Sequence, residues 1–236
     1  MLGVIFTGGK GPPERKIRSL FNTEAKDAVV AAADSGLEMA EAAGVHPHWI
    51  IGDMDSLSDP AKLDAYPADR VFHYPADKDY TDTELAFYLL REKGCDEIWI
   101  IGGAGGRIDH FFGIRSLLER EIFPTRWILD TADIYCFEEA GLSASSFEGK
   151  DHDALTLRLE SGAIVSVLPL GDGPWQALSR GLKWPLDNIH WNRGFIGLSN
   201  QAVMGEFSIT AKQGRFMVII PHHEVIIPHH EVIIPV

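Results

Sequence analysis

Trp49-Ile50-Ile51-Gly52-Asp53-Met54-Asp55-Ser56 is the stretch whose reading decides the fold. A short, continuously apolar run is broken by glycine and delivers two aspartates, two residues apart, at its end. Runs of this kind are the strands of a parallel sheet covered on both faces. In open α/β sheets, ligands sit at the carboxyl ends of the strands. An Asp-X-Asp on extended chain projects both side chains the same way. Two carboxylates so placed repel unless a cation lies between them, and hard oxygen ligands suit Mg²⁺. An acidic turn without a ligand is the plainer alternative, since aspartate is common in turns.

The same texture continues on both sides. Leu2 to Phe6, Ala28 to Ala33, Val71 to Tyr74 and Glu97 to Ile101 read as further strands. Helices are expected over Pro12 to Asn22, Gly36 to Ala43, Thr81 to Lys93 and His110 to Glu119. The third of these is amphipathic, with Leu85, Tyr88 and Leu89 on one face. Thr81 and Glu84 have the spacing of a capping box. Alternating strands and helices predict an α/β domain with a mainly parallel, Rossmann-like sheet over residues 1–140. Beyond it the helices stop. Leu155 to Leu159 with Ile164 to Leu168, and Glu206 to Thr210 with Arg215 to Ile220, read as hairpins about short turns containing glycine. We expect a second, all-β domain over 150–236, with a boundary in the polar stretch Glu138 to Asp151.

Two further clusters carry chemistry. Asp77-Lys78-Asp79-Tyr80-Thr81-Asp82-Thr83-Glu84 opens the third helix. Carboxylates at a helix N-terminus are favoured by the dipole. Capping alone does not require so many, nor Lys78 among them, which is a natural phosphate partner. Gly102-Gly103-Ala104-Gly105-Gly106-Arg107-Ile108-Asp109-His110 follows a strand and precedes a helix. Its glycines let backbone N–H groups approach phosphates, and Arg107 suits a phosphate clamp. Neither it nor Gly8-Gly9-Lys10-Gly11 is a Walker A loop. Trp184 offers a flat face to a cationic or aromatic ligand.

Bulk composition narrows the field. The chain has 236 residues, 45% hydrophobic and 23% charged, with a formal net charge of −13. An acidic surface argues against nucleic-acid binding. The N-terminus reads as a first strand rather than a signal peptide, and no apolar run approaches a membrane span. The two cysteines, Cys95 and Cys136, are expected reduced in the core. A cytoplasmic location is expected. From Val218 the sequence Val-Ile-Ile-Pro-His-His-Glu repeats in tandem through 218–236 with a truncated third copy. Proline every seventh residue excludes a coiled coil. A duplicated, extended strand addition is favoured over a metal-binding histidine tract, because paired histidines lack a fixed partner geometry.

Together, Ala33-Asp34-Ser35-Gly36, Gly52-Asp53-Met54-Asp55-Ser56, Asp77 to Asp82, Gly103 to His110, Gly181-Leu182-Lys183-Trp184-Pro185-Leu186 and Ser199-Asn200 resemble the thiamine pyrophosphokinase family in order and spacing. The resemblance spans roughly residues 1–220. It implies an α/β catalytic domain, a C-terminal β-sandwich and a homodimer with sites at the subunit interface. It also implies ATP, Mg²⁺ and thiamine, with AMP and thiamine diphosphate as products. Carried across, Asp53, Asp55 and Asp82 are the metal ligands. Asp34, Lys78, Thr81, Arg107 and Asp109 fall on the ATP side, and Trp184, Ser199 and Asn200 on the thiamine side. The base that takes the hydroxyl proton is Asp79 or Asp82. Another nucleotide diphosphotransferase or pyrophosphohydrolase, and a non-catalytic thiamine-binding protein, are the alternatives. Ser35 stands where the family commonly has glycine, and the heptad tail has no family counterpart.

Overall fold

Residues 1–141 and 153–222 are described by a computed structural model. The expected boundary segment from 142 onward and the repeat copies from 223 onward lie outside the described residues. The five apolar runs become β1 (Leu2–Phe6), β2 (Val29–Ala33), β3 (Trp49–Gly52), β4 (Val71–His73) and β5 (Glu97–Ile101). All their mutual pairings are parallel. The helices are α1 (Glu14–Asn22), α2 (Gly36–Ala42), α3 (Asp82–Glu92) and α4 (Ile108–Leu117). Successive residues of β1 show why the strands are apolar throughout. Ile5 packs with Phe87 and Leu90 of α3. Val4 and Phe6 pack with Ile17 and Leu20 of α1 and Ala40 of α2. Alternate side chains point to opposite faces, and helices cover both.

The eight remaining strands are β6 (Arg126–Ile128), β7 (Ala132–Glu138), β8 (Ala154–Leu157), β9 (Ile164–Leu170), β10 (Gln176–Arg180), β11 (Gly197–Gln201), β12 (Phe207–Gln213) and β13 (Arg215–Pro221). β6 continues the parallel run beside β5, and β7 turns back against β6. β13, β9 and β11 then add antiparallel. The result is one mixed ten-stranded sheet, ordered β11-β9-β13-β7-β6-β5-β1-β2-β3-β4, with a separate three-stranded antiparallel sheet, β10-β12-β8. The two sheets enclose a common core: Val165, Val167, Phe216 and Val218 from the large sheet meet Ala177, Phe207, Ile209 and Ala211 from the small one.

Two sequence expectations change here. Neither expected hairpin is a hairpin. β8 pairs with β12, and β9 pairs with β13 and β11. β12 pairs with β10 and β8, not with β13. Each glycine-containing turn carries the chain from one sheet to the other. Turn residues fix a reversal but not the partner of each strand. The partner is set by burial: β9 and β13 are largely buried and lie inside the large sheet, whereas β8 is half exposed at an edge. On α3 the buried residues are Thr83, Ala86, Phe87 and Leu90, while Leu85 and Leu89 are half-buried and Tyr88 is exposed. Cys95 and Cys136 are both buried and free, as expected.

Candidate active site

The carboxyl ends of β2 and β3 are locked together. Asp34 donates its N–H to the Ile51 carbonyl at 3.0 Å, extending the ladder by one residue. Its carboxylate then accepts from the Met54 N–H at 3.3 Å. Gly52 sits at φ +153°, and a Cβ there would run into the Asp34 carboxylate. Asp53 accepts from the Asp55 N–H at 3.1 Å, closing a tight turn. Among the described residues, the non-glycine positions with positive φ are Asp34 (+47°), Met54 (+65°) and Ser199 (+60°). All three fall inside segments singled out from the sequence. Such conformations cost about 1–3 kcal/mol each and concentrate where geometry serves a ligand.

The electrostatics of this corner are those of a crowded anion site. Burial, contact with Asp82 and the charge of Asp82 push Asp34 up to about 7. Asp55, exposed, is pushed up by its hydrogen bond to Asp53 and by that residue's charge. Asp53 is held down, first by the Asp55 backbone N–H and then by Asp55 and Lys78 side chains.

The third carboxylate comes from the start of α3. Thr81 caps the helix: its hydroxyl accepts from the Glu84 N–H at 3.3 Å, and its own N–H donates to Glu84 at 2.8 Å. This is the capping box read from the sequence. Arg120 also grips Glu84 and donates to the Tyr88 hydroxyl at 2.6 Å. Burial alone would raise Glu84, but hydrogen bonds from Thr81 and Arg120 outweigh it and hold it low. The hydroxyls of Thr7 and Thr83 meet at 2.7 Å in the interior, pinning this helix start to the end of β1. Asp82 and Lys78 are therefore firmly placed. Lys78 Nζ lies 3.0 Å from Asp82 Oδ1 and 3.9 Å from Asp53 Oδ2, and donates to the Pro75 carbonyl at 3.1 Å. Asp82 Oδ1 is buried, and the ammonium lies off its hydrogen-bonding direction, so this oxygen has no hydrogen bond. Asp79 is exposed. Among the described residues no three Asp, Glu, His or Cys side chains are gathered into a ready metal cage.

The glycine loops after β1 and β5 lie along the same edge. They are zipped together by Gly103 N–H to Gly8 O (3.0 Å) and by reciprocal bonds between Lys10 and Ala104. Arg107 and Asp109 form an exposed two-pronged ion pair, at 3.1 and 2.5 Å, at the start of α4. The guanidinium holds Asp109 down to about 2.

The residues expected on the thiamine side gather elsewhere, around β11. Trp184 is 52% exposed. Asn200 is buried, and its amide is spent on main chain: Oδ1 accepts from Trp184 N (3.1 Å) and Gln201 N (2.8 Å), and Nδ2 donates to Trp184 O (2.7 Å). Asn200 thus holds the backbone that presents the indole. Ser199 is exposed at a register shift between β11 and β9, its N–H donating to Ser166 Oγ at 3.1 Å. Lys183 Nζ stands 4.6 Å from the Trp184 ring centroid. Sequence reasoning missed Thr7, Arg120 and Lys183. Thr7 and Arg120 act through partners distant in the chain, and only the position of Lys183 beside Trp184 was a signal.

The parallel part of a mixed sheet, with carboxylates, a lysine and glycine loops converging at its strand ends, has the build of a phosphate-handling α/β enzyme. Comparison with known proteins makes this specific. Residues 21–126 match the family described as thiamin pyrophosphokinase, catalytic domain. The chain is 27% identical over 214 residues to the thiamine pyrophosphokinase of Bacillus subtilis (strain 168), covering 89% of this chain and 94% of that protein. The solved Bacillus subtilis structure superposes with a TM-score of 0.74 at 25% identity, covering 94% of this chain and 99% of that one. The thiamin pyrophosphokinase structure from Geobacillus thermodenitrificans gives 0.72 at 25% identity, over 95% and 99%. Over its α/β segment and in its fold, the chain is thus similar to the thiamin pyrophosphokinases.

Proposed function

We propose that this chain is a thiamine diphosphokinase, transferring the diphosphate of ATP to the hydroxyl of thiamine. The observation that carries the reading is the convergence of Asp34, Asp53, Asp55, Lys78 and Asp82 within the family-matched segment. The thiamine hydroxyl oxygen bonds to the β-phosphorus, the bond between that phosphorus and the α–β bridging oxygen breaks, and AMP departs. Most of the work in such a reaction is positioning and charge neutralisation.

Asp53, Asp55 and Asp82 would hold Mg²⁺. The donor set fits a hard divalent cation: all ligands are carboxylate oxygens, Asp34 is pushed up by burial and by Asp82, Asp55 is pushed up by Asp53, and Asp82 Oδ1 lacks a hydrogen bond. A ready cage is not required, because Mg²⁺ commonly takes one or two carboxylates and completes its shell with phosphate oxygens and water. Bound there, the ion supplies charge neutralisation to the phosphates and the leaving group. Lys78 adds a second positive charge to the same corner, and Arg107 with Asp109 would act on the nucleotide. Thr81 contributes by fixing the turn that carries Asp82. Asp82, or the exposed Asp79, takes the hydroxyl proton on a carboxylate oxygen. Trp184 stacks on the cationic substrate, with Ser199 beside it and Asn200 behind it.

The same reading assigns residues 1–140 to ATP and 150–236 to thiamine, the latter as a β-sandwich domain. It makes the protein a homodimer with a site between subunits. Support comes from the exposed apolar side chains Trp184, Phe195, Ile196, Leu198, Val203 and Met204 near the edge strand β11, and from Ile108 and Phe112 on α4. Patches of this kind mark association surfaces. Among the described residues no helix is long and apolar enough to cross a membrane. The buried free thiols fit a reducing cytoplasm. The decisive assay incubates the protein with ATP, Mg²⁺ and thiamine. AMP and thiamine diphosphate are expected in equal amounts, and ATP consumption without any gain of mass by thiamine would overturn the activity. Light scattering at micromolar protein tests the dimer, which a monomer mass would rule out.

A further inference from the structure

From His73 to Thr81 the backbone segment is exposed, and Lys78 is the one residue in it that is substantially tucked in, with its side chain 13% exposed. Its ammonium lies between Asp53 and Asp82, whose side chains are 18% and 16% exposed. It serves Asp82 Oδ1 by charge alone, since no hydrogen bond forms. Undirected neutralisation of two carboxylates is the task a hard cation performs. An ammonium and a divalent ion cannot share that space without strong repulsion. We infer that Lys78 is a built-in competitor of the divalent cation, which ties metal binding to the arrival of nucleotide.

The inference rests on the diphosphokinase reading and adds a regulation of that site. Without nucleotide, Lys78 holds the two carboxylates and divalent cation binds weakly. Phosphate oxygens offer the ammonium a better partner. Its departure frees Asp53 and Asp82 at the moment the metal is needed. A ligand shifts such an equilibrium only by its differential affinity for the two arrangements, and the coupling is reciprocal: metal must also raise nucleotide affinity. The protein thereby avoids carrying a bare cation that would leave the carboxylates satisfied and the phosphates unattracted.

The test is a titration of Mn²⁺, followed by the electron paramagnetic resonance signal of the free ion, on wild type and Lys78→Met. Each is measured with and without a non-hydrolysable ATP analogue. Wild type is expected to bind Mn²⁺ weakly alone and at least about tenfold more tightly with the analogue, within the usual range of couplings. Lys78→Met alone is expected to bind roughly tenfold more tightly than wild type alone, with the gain from the analogue reduced by a similar factor. Equal Mn²⁺ affinity of the two proteins without nucleotide overturns the competitor role and leaves the diphosphokinase reading intact. Failure of both to bind Mn²⁺ even with the analogue overturns the competitor role and the metal assignment together. Circular dichroism melting confirms folding. Lys78→Gln is the second variant if the methionine is not tolerated, with the same expected and overturning results.

Discussion

At the carboxyl ends of β2 and β3, charged groups are short of partners, whereas around Trp184 the polar groups behind the indole are satisfied. Asp34 is pushed up to about 7, Asp82 Oδ1 lacks a hydrogen bond, and Lys78 is shared between two carboxylates. By contrast, Asn200 spends its amide on Trp184 and Gln201, while Trp184 and Ser199 stay exposed. The first region stores electrostatic tension that a ligand of suitable charge relieves. The second is a finished platform whose shape does not depend on a ligand. One end is therefore expected to be sensitive to charge and the other to packing.

Substitutions can break or sharpen this contrast. The largest effect is expected for Asp82→Asn, which removes a charge and almost no volume. AMP release should fall about 10²–10³-fold, as when a fixed electrostatic group is lost, with the melting temperature preserved. Gly52→Ala comes next. It drives a methyl into the Asp34 carboxylate from a conformation alanine avoids, and should cost about 3 kcal/mol in a denaturant titration. Asn200→Ala leaves Trp184 N and O without their buried partner, and about 2 kcal/mol of stability should go. Its kinetic signature separates the two regions: KM for thiamine should rise while KM for ATP stays put. A parallel rise in both would show that the Trp184 corner is not specific to one substrate. The smallest effect is expected for Thr81→Ala. Loss of the cap should cost about 1 kcal/mol by thermal melting, and a larger drop in turnover than stability explains would mark Thr81 as more than a cap.

What was legible in the sequence was what is local. The capping box of Thr81 and Glu84 needs only residues three apart, and it forms as read. The strands β1 to β5 are short apolar runs, and burial on both faces leaves that pattern directly. The closeness of Asp53 and Asp55 shows in the spacing, but not their geometry: β3 ends at Gly52, Met54 sits at φ +65°, and a turn in which Asp53 accepts from the Asp55 N–H replaces the extended Asp-X-Asp read from the sequence. The failures are non-local. Turns at 160–163 and 212–214 announce a reversal, but which sheet receives each strand depends on the core between the sheets. The short β6 and the joining strand β7 gave no signal, because their partners are β5 and the distant β13. The hydrogen bonds of Asn200 to the Trp184 main chain, 16 positions away, gave no local signal either.

The unbroken ladder from β4 to β11 has a mechanical consequence. Many enzymes with two substrates close by swinging one lobe toward the other about a flexible link. Here the parallel and antiparallel halves are welded through β6 and β7, and a swing would have to shear hydrogen-bonded strands apart. The continuous ladder opposes such a swing. Any motion that admits substrates or shields the transfer from water must then be supplied at the tips, by side chains and by the loops at the strand ends, of which the exposed run carrying Lys78 is the foremost.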